Sequence, residues 1–111
     1  MRALRVPIRV VLYQDERVWV AHCLEFGLLG DGPSREEALD KLSQAVRIQV
    51  EATLDFGNPA NLFSPAEGEV FRMFAAGADV PELRLEVAPL GEIDIETVQV
   101  REFSEAETVA V

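Results

Sequence analysis

The sequence predicts an α+β fold in which a long helix packs on one face of a three-stranded antiparallel sheet, in the order βββα. Two patterns predict it: apolar residues alternate along residues 4–13, and residues 35–55 carry an apolar stripe at spacings of three and four. A glycine-rich run, GLLGDG, separates the two patterns. Because each apolar side must be buried, we expect the sheet and the helix to cover each other.

The first strand is expected over residues 4–13, LRVPIRVVLY. The face opposite the apolar side chains carries Pro7, which has no N–H to donate to a neighbouring strand. This strand should therefore lie at a sheet edge or have its N–H side free at Pro7. The apolar face consists of alternate residues, namely Leu4, Val6, Ile8, Val10 and Leu12.

A hairpin should follow the first strand. The polar turn QDER, residues 14–17, leads into a β-branched and aromatic run over residues 18–26. Gly27 ends this second strand, and a third, brief strand is expected over residues 28–31. The glycines and proline of residues 30–33 then turn the chain.

The long helix has a clear start and a clear end. Ser34 and Glu37 form a capping box, in which the Ser34 hydroxyl accepts from the Glu37 N–H and the Glu37 carboxylate accepts from the Ser34 N–H. Gly57 is suited to a left-handed cap, and Pro59 cannot continue the helix. The predicted stripe comprises Ala38, Leu39, Leu42, Ala45, Val46, Gln49, Val50 and Thr53.

A second, shorter helix is expected from Pro65 to about Ala76, with Ser64 as its cap and Glu67 completing the box. Its apolar residues are Val70, Phe71, Met73 and Phe74, which we interpret as core or interface residues. Together with the βββα unit, this helix belongs to a single domain over residues 1–111, with a core over residues 1–59 and a C-terminal extension over residues 60–111.

Two further strands are expected in the extension, over residues 83–88 and 92–103. In the second of them the apolar phase changes, and a bulge near Thr97 would explain that change. The last residues, 104–111, lack packing signals and are expected to fray.

The composition favours a cytoplasmic protein that does not cross a membrane. No apolar run reaches the roughly 20 residues that span a bilayer. Arg5, Pro7 and Arg9 interrupt the apolar N-terminal run, and no cleavage site of a signal peptide follows it. The single cysteine excludes an intramolecular disulfide framework.

The formal charge of −10 is uneven along the chain. Residues 1–66 hold nine acidic and seven basic residues, for −2, whereas residues 67–111 hold eleven acidic and three basic residues, for −8. Such a chain has no Lys/Arg cluster to bind phosphates, so we expect no direct binding of nucleic acid. The charge is typical either of a protein with a basic partner or of a well-solvated surface.

His22 and Cys23 are the single histidine and the single cysteine. Neighbouring residues of a strand point to opposite faces, so this pair cannot act as nucleophile and base. His22 and Glu25 also fall on opposite faces of a regular strand, and no second histidine completes a zinc site. We therefore interpret His22 as structural and Cys23 as buried, and we predict no catalytic, cofactor-binding or metal site.

A carboxylate metal site is the alternative that an enzyme would need. Its best candidates, Asp15, Asp31 and Asp40, fall in a turn, a glycine loop and a helix face, which does not aim them at one point. The glycines at positions 27, 30 and 32 miss the spacing of a dinucleotide-binding loop and are interpreted as turn residues.

Residues 18–46 resemble the HicB-like antitoxin family, whose members combine a hairpin, a glycine-punctuated turn and a long helix. The similarity extends from Val6 to about Pro59, roughly half of the chain. It rests on matching positions of the family pattern, namely Cys23, Glu25, Gly27, Gly32, Ser34, Glu37 and Ala38.

The resemblance implies a partial RNase-H-like domain without catalysis that binds and neutralises a small basic HicA-type ribonuclease toxin. Members usually add a DNA-binding module, whereas residues 60–111 carry no basic recognition helix. An orphan relative that only self-associates is the other form of this hypothesis, and an RNase-H-like enzyme is the alternative to both. We also expect a two-fold homodimer, because the sheet edge and the aromatic residues of the second helix need further cover.

Overall fold

The computed structural model describes residues 4–57 and 62–104. Within these residues it confirms the α+β class, but the sheet has five strands and is mixed rather than three-stranded and antiparallel. The strand order is β3-β2-β1-β5-β4, with β1 and β5 parallel and the other neighbours antiparallel. The elements along the chain are β1 Leu4–Asp15, β2 Val18–Cys23, β3 Leu29–Gly32, α1 Arg35–Phe56, α2 Gly68–Ala76, β4 Ala78–Asp79 and β5 Ile93–Glu102.

Strand β1 lies in the centre of the sheet, so the prediction that Pro7 marks an edge strand is wrong. The alternative condition, a free N–H side, is met. Pairing with β2 begins at Val10, so at Pro7 the strand has only β5 beside it. Arg9, two residues further along, directs its backbone N–H to Glu25 on the side away from β5, and the missing N–H of Pro7 faces that same open side.

Strand β5 confirms the strand predicted near the C-terminus and pairs in parallel with β1. The register shifts between Ile8 and Arg9, whose partners are Thr97 and Gln99, so that Val98 is the extra residue. The predicted bulge near Thr97 is therefore confirmed. The bulge lets buried side chains before and after it reach the same core despite the change of phase in the sequence.

The strand predicted over residues 83–88 is wrong, because this segment has no strand geometry. The Thr97 hydroxyl accepts from the Leu85 N–H at 3.3 Å and donates to the Leu85 carbonyl oxygen at 3.2 Å. At the bulge, Leu85 thus bonds to the Thr97 side chain rather than to the backbone of β5, so residues 83–88 do not form the ladder of backbone hydrogen bonds that defines a strand. The short β4 pairs with the end of β5 instead.

The second strand ends at Cys23 rather than at residue 26, because the chain turns there. The Gly27 N–H donates to the Cys23 carbonyl at 3.1 Å, and the Cys23 N–H donates to the Leu28 carbonyl at 2.9 Å. Gly27 has a φ of 69°, a left-handed conformation that glycine adopts without strain. Strand β3 consequently begins one residue later than predicted.

Gly30 and Gly32 lie inside β3, which corrects their assignment to a turn. Helix α1 crosses this strand at very short range. A Cβ added at Gly30 would lie 2.7 Å from the Ala38 carbonyl oxygen and closer still to the Leu42 backbone nitrogen. The glycine is required because the helix backbone occupies the space of a side chain.

Helix α1 confirms the predicted start and end. The Glu37 N–H donates to the Ser34 hydroxyl at 3.1 Å, and the Glu37 carboxylate accepts from that hydroxyl at 3.2 Å rather than from the Ser34 N–H. Gly57 closes the helix in the left-handed conformation, whereas Pro59 lies outside the described residues. Six of the eight residues of the predicted stripe are buried, whereas Ala45 and Gln49 are half-buried. The buried ones are Ala38, Leu39, Leu42, Val46, Val50 and Thr53.

Helix α2 begins at Gly68, three residues later than predicted, and Ser64 does not cap it. Tertiary hydrogen bonds explain the later start of α2. The Ser64 N–H donates to the Glu25 carbonyl at 3.2 Å, and the Ala66 N–H donates to the Leu24 carbonyl at 2.9 Å. These bonds hold residues 64–66 against the turn that follows β2, which prevents them from starting a helix.

The two helices cover opposite faces of the sheet. On the α1 face, Ile8, Leu12 and Leu42 are fully buried in the main core. On the α2 face, a second cluster contains Val11, Leu24, Val70, Met73, Phe74 and Phe103. Met73 and Phe74 are thus buried by other residues of the same chain.

The predicted fraying of residues 104–111 concerns residues that, apart from Ser104, lie outside the described part of the chain.

Candidate functional site

A cleft of about 400 Å³ opens where the parallel strands β1 and β5 end side by side. The carboxyl ends of parallel strands are a common place for ligand binding, because the chain leaves the sheet there and opens a crevice. We call this feature the end cleft. Its walls include Tyr13, Asp15, Trp19, Met73, Glu102 and Phe103.

The lining of the end cleft combines three aromatic rings and a thioether with two carboxylates, and no basic residue lines it among the described residues. Aromatic faces carry negative potential and attract cations, as carboxylates do. The lining chemistry therefore suits a positively charged group better than an anion.

One cation of the protein already rests at the rim of the end cleft. The Arg35 guanidinium lies 5.6 Å from the centre of the Trp19 ring, and its Nη1 contacts Glu102 Oε1 at 2.7 Å. Arg35 is the first residue of α1, so the helix cap at Ser34 also sets the position of this arginine. At the rim, the Trp19 ring and the Glu102 carboxylate thus both contact the same guanidinium.

Asp15, the second carboxylate of the end cleft, is exposed at the end of β1. Its carboxylate has no ion-pair or hydrogen-bond partner within the part of the chain that the structure describes. Burial, and after it the charge of Asp15, raises the pKa of the Tyr13 hydroxyl above its ordinary value. Asp15 therefore places an uncompensated negative charge beside an aromatic side chain of the cleft.

The end cleft could not be predicted from the sequence. Tyr13 and Trp19 come from the first hairpin, whereas Glu102 is the last residue of β5 and Phe103 follows it. Only the parallel pairing of β1 with β5 brings them together, and a pairing across most of the chain leaves no local signal in the sequence. The bulge at Val98 belongs to the register between β1 and β5 that places the cleft residues side by side.

His22 and Cys23 lie on opposite faces of β2, as predicted. His22 faces Tyr13, whose hydroxyl lies 3.2 Å from His22 Nδ1, and burial lowers the pKa of His22 below its ordinary value. Cys23 is fully buried in the core under α1, where burial raises the pKa of its thiol to about 11. The thiol is therefore held in its unreactive, protonated form near neutral pH.

Glu25 does not lie in β2, so the face assigned to it from a regular strand does not apply. Its carboxylate accepts from the Arg9 N–H and from Arg9 Nε, each at 2.7 Å. The Arg9 guanidinium also lies 5.7 Å from the Phe71 ring centre and 5.6 Å from that of Phe74. Glu25 thus connects the turn after β2 to Arg9 of β1, and Arg9 in turn contacts aromatic rings of α2.

The three candidate carboxylates for a metal site are not brought together. Asp15 and Asp31 pair with Val18 and Val20 of β2, so β2 separates them by two strand spacings, roughly 10 Å. Asp40 lies on α1, where it accepts a hydrogen bond from Gln44 at 3.1 Å. Over residues 4–57 and 62–104, no group of three or more His, Cys, Asp or Glu side chains is placed to hold a metal ion.

Comparison with known proteins gave no match: no family model, no curated protein and no solved structure corresponds to this chain. Among the described residues, no helix combines the length and the apolar composition needed to cross a bilayer.

Proposed function

We propose that this protein is a non-enzymatic, HicB-like binding domain that docks onto a small basic protein and, where that partner is an RNA-cleaving toxin, inhibits it. An orphan relative that acts through self-association is the second form of the same proposal. The observation that carries the proposal is an excess of surface carboxylates without internal partners.

The basic residues of the C-terminal half are largely occupied. Arg72 is paired with Glu69, and Arg101 contacts Asp79 at 3.0 Å. Carboxylates in this half without an ion-pair or hydrogen-bond partner in the described residues are Glu67, Glu82, Glu86, Glu92, Asp94 and Glu96. Unpaired surface charges of one sign attract a partner of the opposite sign and raise its association rate.

The residues that carry the family resemblance have structural roles, which supports binding rather than chemistry. Cys23 is core, Glu25 ties Arg9, and Ser34 caps α1. Gly27 also lets the chain before α2 approach, since a Cβ there would lie 2.6 Å from the Ser64 carbonyl oxygen. The motif thus shapes a scaffold, and the partner would contact the surface that this scaffold presents.

The test is to mix the purified chain with candidate small basic proteins from neighbouring reading frames and to measure complex formation at several salt concentrations. We expect a stable complex whose association slows as salt rises, because charges are screened beyond roughly 8 Å at physiological ionic strength. His22→Ala should retain binding, whereas Leu42→Ala should weaken it through unfolding, at a cost of about 2–5 kcal/mol.

The RNase-H-like enzyme remains the competing hypothesis, and a direct assay separates it from ours. The purified chain is incubated with RNA and with an RNA–DNA hybrid in the presence of Mg²⁺ or Mn²⁺. Metal-dependent cleavage that one Asp→Asn change at Asp15, Asp31 or Asp40 abolishes would overturn the binding-domain proposal.

A further inference from the structure

We infer that the end cleft receives an arginine side chain of the basic partner, holding its guanidinium against Asp15 and the aromatic wall. This inference rests on the proposed function, because it names the part of the surface that recognises the partner's charge. The charge and the ring chemistry of the cleft favour an arginine as its occupant.

The two carboxylates of the cleft differ in their partners. Glu102 already holds Arg35 at 2.7 Å, whereas Asp15 has no ionic partner among the described residues. A second guanidinium beside Asp15 would reproduce the arrangement that the protein uses at its own rim. Arginine suits this place better than lysine, because its planar guanidinium can stack on a ring and pair with a carboxylate together.

Tyr13 and Phe103 form the aromatic wall of the cleft. Phe103 directly follows β5 and lies beside the end of β1, which carries Tyr13, since the Phe103 N–H donates to the Leu12 carbonyl at 2.8 Å. Met73 of α2 also lines the cleft. This wall can cover the methylene stem of an arginine while the charged end reaches the carboxylate at the mouth of the cleft.

Trp19 provides a direct reporter, because it lines the cleft and is the single tryptophan of the chain. The full-length protein is titrated with hexa-arginine, and hexa-citrulline, which has nearly the same shape without charge, serves as the matched control. Tryptophan fluorescence is recorded at low and at physiological salt. We expect a saturable change with hexa-arginine at concentrations at which hexa-citrulline gives none.

Asp15→Asn tests the named carboxylate, and Asp55→Asn, an exposed acid of α1 away from the cleft, is its control. We expect Asp15→Asn to weaken hexa-arginine binding about fivefold, the effect of losing one exposed charge contact, and Asp55→Asn to leave it unchanged. Thermal unfolding of both variants checks that the fold is retained.

Equal responses to the two peptides, no saturable response, or equal losses in the two variants would overturn the inference. The comparison of the two peptides uses the unmodified chain, so it decides the question even where a variant is unstable. Failure of the proposed function has a different signature, namely no complex with any of the candidate basic proteins. A complex whose affinity is unchanged by Asp15→Asn would retain the proposed function and remove the end cleft from it.

Discussion

Arg9 and Glu25 are joined at two points, since the Glu25 carboxylate accepts from the backbone N–H and from the Nε of Arg9, each at 2.7 Å. The pair closes the sheet where β2 has ended and β1 would otherwise present an unpaired N–H. The side chain of Glu25 is 19% exposed, so solvent replaces these contacts poorly when the carboxylate is removed.

Glu25→Ala is therefore expected to lower the free energy of unfolding by about 2 kcal/mol, and Glu25→Gln by about 1 kcal/mol because the amide oxygen still accepts one bond. Urea denaturation followed by circular dichroism measures both. Glu96→Ala, on the exposed side of β5, is the control and should change the free energy of unfolding by less than about 0.5 kcal/mol. Equal effects at the two positions would contradict the role of Glu25.

Gly30→Ala is expected to destabilise the protein by about 3 kcal/mol, because the new methyl group would meet the α1 backbone at Ala38 and Leu42. Backbone atoms cannot move aside as a flexible side chain can. Gly68→Ala is the matched control, since nothing lies within 4 Å of a Cβ added there. The control should be neutral or slightly stabilising in the same denaturation experiment, as alanine favours a helix over glycine. A neutral Gly30→Ala would refute the close approach of helix and strand.

Ser34→Ala is expected to cost about 1 kcal/mol, because the Glu37 N–H loses its acceptor at the start of α1. Ser34→Asp retains an acceptor and should restore most of the loss. The midpoint of urea denaturation distinguishes the variants, and an unchanged midpoint in Ser34→Ala would count against the cap.

The features that could be predicted from sequence are those whose signals are local. Ser34 and Glu37 lie three residues apart and fix the start of α1. The alternation in β1 and the phase change near Thr97 likewise depend on neighbouring residues. These elements appear in the structure within one or two residues of their predicted bounds. In contrast, a backbone turn ends the second strand three residues early, at Cys23, and α2 begins three residues late.

The features that could not be predicted depend on residues far apart in the chain. Ser64 looks like a helix cap, but its N–H is held by Glu25, about forty residues earlier. The alternation over residues 83–88 resembles a strand, but the Thr97 hydroxyl takes the place of a ladder partner. The end cleft requires the parallel pairing of β1 and β5, so its residues could be read as ordinary core or surface until that pairing was known.

The stability of the protein is expected to depend on pH through His22. Burial lowers the pKa of His22 in the folded protein, so the unfolded chain binds a proton more readily. The contribution of the neutral His22 is complete above about pH 6.5, the ordinary value, and is lost as the pH falls through that value toward the folded pKa. The free energy of unfolding should fall between pH 7.5 and pH 5.

His22→Gln should lose less stability over this range than the unmodified protein, because the glutamine does not titrate. Urea denaturation at the two pH values gives the comparison, and an NMR titration of the imidazole gives the pKa directly. A measured pKa above 6.5 in the folded protein would reverse the sign of the effect and contradict the prediction.

We expect the interface of the proposed homodimer at the edge strand β3 rather than at α2. Met73 and Phe74 are buried within the chain and need no cover from a second copy. Strand β3 is at the end of the strand order, and its Leu29 is 50% exposed. Open strand edges pair readily with another copy, and a lysine on the edge opposes such pairing.

Sedimentation equilibrium at micromolar concentration should show a dimer that Leu29→Lys weakens, whereas Ile48→Lys, at an exposed position on α1, should leave it intact. A monomer at every concentration would refute the dimer, and equal weakening by both substitutions would place its interface elsewhere than at β3.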